Sequence, residues 1–519
     1  MVYWAPFYFL ERVMQLLFYQ SEDEIIPIPW PLVNYGVKME NFKPIYQIDD
    51  FYYPEQDPKF QFSKQLQLFL IGRALLIEEV PFSLEEIHEH VKHGYIRYIP
   101  GQKMSQDKKE IICQRCCNTD LSYFAEMYCS RCHSKCLYCR RCIMMGRVST
   151  CTPLLIWVAD PPLFTFPNCL KFEGKLSPLQ KKASNKVIKT IVEGGNLLLW
   201  AVCGAGKTEM LFEGIETGLS MGKRIAIATP RTDVVLELSN RFKKAFPDVP
   251  IVSLYGGSHE RHSFAPLVIT TTHQLIRFRS AFDVLIIDEV DAFPYSVDDM
   301  LQKASRKAMK EESAVIYLSA TPSEVWQQEV KTGKRNCFIL PARFHRKALP
   351  VPTFRWCGNW RKSLHKGKIP SKLKEWVFER VKKNQQAFIF FPHIELMEEA
   401  LPLFQTLHPK IESVHAEDPS RKQKVQEMRD GKLLILLTTM ILERGVTISN
   451  LDVAVLGAED ETFTESALVQ ISGRVGRNPN YPNGDITFFH FGITRSMVLA
   501  RRQIIEMNKK AREQGLIDN

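Results

Sequence analysis

Cys203-Gly-Ala-Gly-Lys-Thr208 stands just after the apolar run Asn196-Leu-Leu-Leu-Trp200. A chain that leaves a buried strand and enters two glycines, a lysine and a threonine is built to wrap a phosphate. The glycines let backbone N–H groups approach with no Cβ in the way, the lysine neutralises the terminal phosphates, and the hydroxyl holds Mg²⁺. Gly204, Ala205, Gly206, Lys207 and Thr208 are therefore the candidate ATP-binding loop. A carboxylate pair follows 81 residues beyond Lys207, in Val284-Leu-Ile-Ile-Asp-Glu-Val-Asp291. An apolar strand that ends in two acids places them where open parallel sheets bind ligands. Asp288 is suited to hold Mg²⁺, and Glu289 to orient and deprotonate an attacking water.

A second chemistry lies in the cysteines. Eight of the thirteen fall within Cys113–Cys142. In a chain of this length that density points to metal rather than to a disulfide framework. Cys113-Gln-Arg-Cys116 and Cys139-Arg-Arg-Cys142 are two knuckles, each able to offer two thiolates to one tetrahedral Zn²⁺. Cys129, Cys132 and Cys136 lie between them, Cys117 adjoins the first knuckle, and His133 is a further ligand type. Spacing alone leaves open which four thiols act and whether one ion binds or two.

These groups need elements to hold them. At 519 residues, with 45% hydrophobic and 24% charged side chains, the chain is long enough for three or four folded domains. From about residue 170, short apolar strands alternate with longer amphipathic stretches: Leu197–Trp200, Arg224–Ala228, Leu267–Thr270, Val284–Ile287 and Ala314–Leu318. A Pro- and base-rich interval near 334–370 interrupts them, and Ala387–Phe391, Leu433–Leu437 and Val453–Leu456 then resume. Such alternation predicts an α/β fold of two successive parallel-sheet domains. The expected organisation is an N-terminal region (1–105), a cysteine module (106–152) outside both sheet domains, a first sheet domain (153–333) and a second (334–519). A helix is expected from Ser63 to about Leu76. The apolar N-terminus, interrupted by Glu11 and Arg12, reads as a segment packed on its own protein rather than an interfacial anchor. No segment approaches the length of a membrane span.

Further short motifs occur in order: Gln180 in Leu176-Ser-Pro-Leu-Gln180, Ala228-Thr-Pro-Arg231, Thr271-Thr-His-Gln274, Ser319-Ala-Thr321, Thr438-Thr439, Glu443-Arg-Gly-Val446 and Gln470-Ile-Ser-Gly-Arg-Val-Gly-Arg477. The set resembles a superfamily 2 helicase built on two RecA-like domains. That resemblance implies that Gln180 reads adenine, that Ser319-Ala-Thr321 couples hydrolysis to motion, and that Arg474 and Arg477 act as arginine fingers, with Gln470 beginning their motif. Gln470, where RNA helicases of the DEAD-box type carry His, and Val290 within the acidic motif lean towards DNA translocases such as the primosomal helicase. An RNA helicase is the alternative. A zinc-bearing adaptor using ATP only as a switch would need neither Glu289 nor Arg477.

Longer strings narrow the resemblance. Cys139-Arg-Arg-Cys-Ile-Met-Met-Gly-Arg-Val148, Leu199-Trp-Ala-Val-Cys-Gly-Ala-Gly-Lys-Thr-Glu-Met210, Asp288-Glu-Val-Asp-Ala-Phe-Pro-Tyr295 and Leu442-Glu-Arg-Gly-Val-Thr447 are similar to the ComFA family of late-competence ATPases of Gram-positive bacteria. The similarity runs from about residue 60 to the end. It implies zinc on Cys113, Cys116, Cys139 and Cys142, and an ATPase stimulated by single-stranded DNA. It also implies a cytoplasmic protein, peripheral at the inner face of the membrane, drawing transforming DNA through the ComEC channel alongside ComFC and DprA. An oligomer is compatible with all of this.

Charge adds two candidate nucleic-acid surfaces. The chain carries +10 formally, and residues 101–150 hold nine Lys/Arg against four Asp/Glu. Residues 331–375 hold thirteen Lys/Arg and one acid, Glu375, interleaved with Phe344, Phe354, Trp356 and Trp360. Bases that follow phosphates and aromatic faces that stack nucleobases suit a single-strand path.

The roles assigned to the ATP motifs separate under mutation. Lys207→Ala is expected to abolish turnover, and Glu289→Gln to retain nucleotide binding while hydrolysis stalls, because an amide cannot accept the water's proton. Arg477→Ala should lower turnover about 10³-fold or more. Steady-state ATPase beside nucleotide binding checks all three, and a Glu289→Gln chain at the parent rate removes Glu289 as the base.

Overall fold

The computed structural model describes residues 17–19, 26–33, 38, 41–48, 53–104, 110–130, 132–443 and 448–517. The apolar N-terminus up to residue 16, and Arg444, Gly445 and Val446 of the Glu443–Val446 motif, lie outside them. The chain divides into two compact units: Met1–Phe172, Ile188–Asn196 and Glu213–Ile316 form one, and Glu173–Val187, Leu197–Phe212 and Tyr317–Asn519 the other.

In the first unit, strands Ile251–Leu254, Leu267–Thr271, Ile225–Thr229 and Phe282–Ile287 pair in parallel in that order, with Met309–Ser319 next. Every residue of Ile225–Thr229 and Leu267–Thr271 is buried, as expected of strands covered on both faces. Their register sets Thr229 beside Thr271 and Ala228 beside Ile287. The motifs after these strands, at Pro230-Arg231, Thr272–Gln274 and Asp288-Glu289, therefore emerge on one rim.

The same unit carries the N-terminal region. Its helix spans Lys64–Leu70, capped by Ser63, whose Oγ accepts from Leu66 N at 3.3 Å. The helix expected to reach Leu76 stops six residues short of that. Gly72 takes φ +68° with no room for a Cβ (2.7 Å from Ala281 Cβ), and Leu75–Leu76 pairs instead with Leu154–Leu155. Strands Leu75–Leu76, Pro153–Trp157 and Ile96–Pro100 form a small antiparallel sheet over the core of Leu66, Leu70, Ile87, Tyr98 and Leu155. The cysteine segment contributes a hairpin, Phe124–Cys129 against Ser134–Cys139, with Val148–Ser149 on its far edge.

In the second unit, Leu198–Ala201 pairs in parallel with Cys337–Leu340. A six-stranded parallel sheet runs in the order Thr353–Trp356, Ile486–His490, Asp452–Leu456, Ala387–Phe390, Ile435–Thr438, Ile411–Val414. Alternation splits its side chains between two cores. Phe388, Phe390, Val453 and Val455 enter one, and Ala387, Ile389, Ala454 and Leu456 the other.

The base-rich interval is less of an interruption than its composition predicts. It supplies the strand Cys337–Leu340, the edge strand Thr353–Trp356 and the helix Trp360–His365. Its aromatics part company: Trp356 and Phe344 are 65% and 51% exposed, whereas Trp360 is 1% exposed and donates from Nε1 to Glu459 Oε1 at 2.7 Å. Trp360 is core, not a stacking platform. Trp360→Ala should lower the unfolding free energy by about 3–5 kcal/mol. Trp356→Ala should leave it within about 0.5 kcal/mol. Denaturant melts of the two variants make the comparison.

Candidate nucleotide and metal sites

Strand Gly195–Ala201, buried from Leu197 onward, delivers the chain into the glycine loop, and helix Glu209–Ser220 leaves it. Gly204 and Gly206 adopt φ +82° and +78°, a region side chains avoid. A Cβ on Gly206 would stand 2.5 Å from Gln180 Nε2. Gln180 itself is fixed across the loop. Its Nε2 donates to Ala205 O at 2.9 Å, and its Oε1 accepts from Ser177 N at 2.8 Å. The cradle is thus one that glycine alone fits, with the expected adenine-reading residue against it. Lys207 is half-buried and Thr208 is buried.

A helix of the second unit, Glu465–Ser472, meets this loop. Cys203 Sγ donates to Gln470 Oε1 at 3.1 Å, and a Cβ on Gly473 would fall 2.6 Å from both Cys203 Cβ and Sγ. At the helix's other end Ser466 Oγ lies 2.7 Å from Thr321 Oγ1, in Ser319-Ala-Thr321. One short helix therefore links the phosphate loop to the motif expected to transmit motion. Of the two expected fingers, Arg474 is buried with Nε on Glu443 O at 2.8 Å, and Arg477 donates from Nε to Gly473 O at 2.9 Å. The structure brings Gln470 to the loop through Cys203, holds Arg474 by the carbonyl of Glu443, and holds Arg477 by the carbonyl of Gly473 in its own segment.

Arg343 was not singled out by its sequence, where it stands as one base among thirteen. It is 2% exposed, its stem is 3.6 Å from where a Gly204 Cβ would lie, and its guanidinium donates to Gly476 O and Gly473 O. Burial pushes its pKa down to about 10. His345 reaches the same Gly476 O at 3.1 Å. These two residues brace the turn that carries Arg474 and Arg477.

In the first unit, Asp288 and Glu289 follow strand Phe282–Ile287, with Asp288 N donating to Ala228 O at 2.8 Å. Glu289 has φ +56°, and its N donates to Asp288 Oδ1 at 2.9 Å. A left-handed glutamate is strained, and strain of this kind gathers at functional positions. The chain then turns towards Asp298, which caps helix Asp299–Ala308 through Met300 N.

The cysteines separate into two quartets. The Sγ atoms of Cys113, Cys116, Cys139 and Cys142 lie within 4.8 Å of one another, and so do those of Cys129, Cys132, Cys136 and Cys151. In the first, the 113–142 and 116–139 sulfurs are 3.8 and 3.6 Å apart. A tetrahedral Zn²⁺ with bonds of about 2.3 Å needs sulfur–sulfur edges of about 3.8 Å, so this quartet fits it. Cys117 and His133 belong to neither quartet. Cys151, nine residues past the last knuckle, is the ligand type that spacing did not single out.

The module is also fastened within its unit. Arg141, between the knuckle thiols Cys139 and Cys142, donates to Asp298 Oδ1 at 2.9 Å and to Asp299, and lies over Tyr123. Arg115 is fully buried on Glu79, at 2.7 and 2.8 Å, which also receives Arg277 at 3.0 Å. Lys307 donates to Arg115 O and Ile276 O, and burial pushes its ammonium down to about 8. A module that its sequence sets outside both sheet domains is tied to the segment following Asp288 and Glu289.

Residues 56–156 match the family described as competence protein ComFA N-terminal domain, 173–324 that described as type III restriction enzyme, res subunit, and 368–479 the helicase conserved C-terminal domain. The chain is 51% identical to the competence protein ComFA of Bacillus subtilis over 87% of its own length and 96% of that protein's. It is 38% identical to the competence protein ComFA of Streptococcus pneumoniae, over 79% and 93%. Among solved structures, Saccharomyces cerevisiae Dbp5 bound to RNA and ADP BeF3 aligns with TM-score 0.47 and 14% identity, over 64% of this chain and 88% of that one. The helicase domains imply use of ATP and Mg²⁺.

Gly473 offers a test of the approach to the loop. It is helical (φ −64°), so alanine costs its backbone no strain and acts only by crowding Cys203. Overpacking costs about 1–3 kcal/mol. Gly473→Ala should then slow ATP turnover about 5- to 150-fold while nucleotide binding persists. Turnover at the parent rate would show that hydrolysis does not use this approach.

Proposed function

This chain belongs to the family of the competence protein ComFA, a helicase-like motor by its domains, and on that premise we propose that it is an ATP-driven translocase of single-stranded DNA in the uptake of transforming DNA. The observation that carries the reading is the helix Glu465–Ser472, which contacts Cys203 of the phosphate loop and Thr321 together. A motor needs its nucleotide state reported to the parts that move, and this helix touches both ends of that relay.

In this reading Lys207, Thr208 and Asp288 hold the nucleotide and Mg²⁺, Gln180 reads the base, and Glu289 takes a proton from the attacking water. Arg474, Arg477 and Gln470 complete the site when the second sheet domain closes, so hydrolysis waits on closure. Zn²⁺ on Cys113, Cys116, Cys139 and Cys142 holds Arg115 and Arg141 where they fasten the module. The exposed Arg355, Trp356, Lys362, Lys366 and Lys368 are the candidate single-strand surface. No helix of the described residues is long and apolar enough to cross a membrane. For work at the inner face of the membrane, the family's ComEC, ComFC and DprA are the candidate partners.

ATP turnover with and without single-stranded DNA, at two salt concentrations, tests the proposal. DNA should raise turnover, and single-stranded RNA should do so less. Neutralising Arg355, Lys362, Lys366 and Lys368 should lower the slope of log affinity against log salt by about 0.7 for each lost phosphate contact. Stimulation by RNA alone would make the protein an RNA motor, and no stimulation by either would leave a nucleotide switch.

A further inference from the structure

We propose that Cys129, Cys132, Cys136 and Cys151 form a second zinc site, so that the module binds two ions of unequal role. Strand geometry separates the two sites. In the hairpin, Cys129 opposes Ser134 and Met127 opposes Cys136, which puts Cys129 and Cys136 on the same face. Cys139 lies three residues beyond Cys136 in the same strand and faces the other way. One ion cannot serve both faces, so the thiols that spacing left unassigned belong to a site of their own.

The fourth ligand comes from outside the hairpin. Thr150 N donates to Leu137 O at 2.9 Å, which brings Cys151 under the sheet with its Sγ 3.4 Å from that of Cys129. The sulfurs of Cys132 and Cys136 are 3.3 Å apart. These separations are far outside a disulfide bond of about 2.05 Å and close to the edge of a zinc–sulfur tetrahedron. Cys129, Cys136 and Cys151 are buried, and Cys132 closes the site from the turn.

The roles differ by what each quartet holds. The first sits among Arg115 and Arg141 and so governs how the module is fastened. The second binds the hairpin tip to Cys151, two residues ahead of the strand Pro153–Trp157 at the centre of the N-terminal sheet. Binding converts four thiols and one Zn²⁺ into a complex of charge −2 and releases four protons. Nine Lys/Arg against four Asp/Glu give residues 101–151 a formal +5, which one filled quartet lowers to +3 and two lower to +1. Most of the segment's basic excess is then counter-charge to its own metal centres.

Elemental analysis of the full chain, purified without chelator, reads the stoichiometry without nucleotide or DNA and so independently of the motor proposal. Two zinc ions per chain are expected. Cys151→Ser should hold one, with three additional reactive thiols, and Cys151→His, which restores a ligand, should hold two. Should Cys151→Ser fail to fold, replacement of zinc by Co²⁺ in the parent chain decides. The sulfur-to-cobalt absorption per chain should be that of two four-thiolate sites. One zinc per parent chain, two retained in Cys151→Ser, or a disulfide between Cys129 and Cys151 in fresh protein would overturn the proposal.

Discussion

The candidate phosphate loop of this protein is hemmed in on two sides, and the contacts around it depend on that crowding. On one side Gln180 leaves no volume for a side chain at Gly206. On the other Cys203 leaves none at Gly473. Close packing makes such a corner behave as a latch rather than a spring, because a small displacement forfeits contacts outright. The Cys203–Gln470 hydrogen bond exists only while helix Glu465–Ser472 lies against the loop, and the same helix holds Thr321 through Ser466. Arg343 and His345 then fix the glycine turn beyond it through Gly473 O and Gly476 O. The backbone carbonyl that orients Arg477, Gly473 O, is thus also held by Arg343, whose stem lies against the loop at Gly204.

The first unit shows a related economy around Glu289. Its left-handed backbone is held in a tight turn, with Ala292 N donating to Glu289 O at 2.8 Å. Nine residues later Asp298 is gripped by Arg141, a side chain whose neighbours Cys139 and Cys142 both belong to a zinc-shaped quartet. Charge-assisted bonds of this kind contribute about 1.5–3 kcal/mol each when partly shielded. The cysteine module therefore has a hydrogen-bonded route to the helix cap nine residues past Glu289. It consists of two side chains and one helix cap.

Much of this was legible in the sequence because its signals are local. Phosphate cradles need glycine at fixed spacing, buried parallel strands read as unbroken apolar runs, and every strand named from its pattern is present within a residue or a few. Long-range pairing was less visible. Ser63–Leu76 keeps its apolar spacing past Leu70, yet Leu75–Leu76 is claimed by a strand 79 residues away. Cys337–Leu340 and Thr353–Trp356 are hidden by the Lys, Arg and Pro around them, although edge strands tolerate such company. Arg343 gave no signal, since its role arises from burial against glycine carbonyls far along the chain. Cys151 lies outside the cluster because a thiol brought in by tertiary folding obeys no spacing rule.

Formal charge was the least reliable guide, for the same reason. Of the thirteen bases in residues 331–375, Arg335 is paired with Glu329 at 2.7 Å, Arg361 is paired with Asp460, and Arg343 is spent on backbone carbonyls. Trp360, which resembled a stacking face, fills a core. In residues 101–150 the thiolates of even one filled quartet cancel two of the five excess charges. What electrostatics can offer a phosphate backbone is the charge left after internal pairing. Within residues 331–375, Arg355, Lys362, Lys366 and Lys368 stand exposed beside Trp356, on the edge strand Thr353–Trp356 and in and just after the helix that follows it. A flexible polyanion selects for that combination, because released counterions reward each phosphate contact and an exposed indole accepts any base.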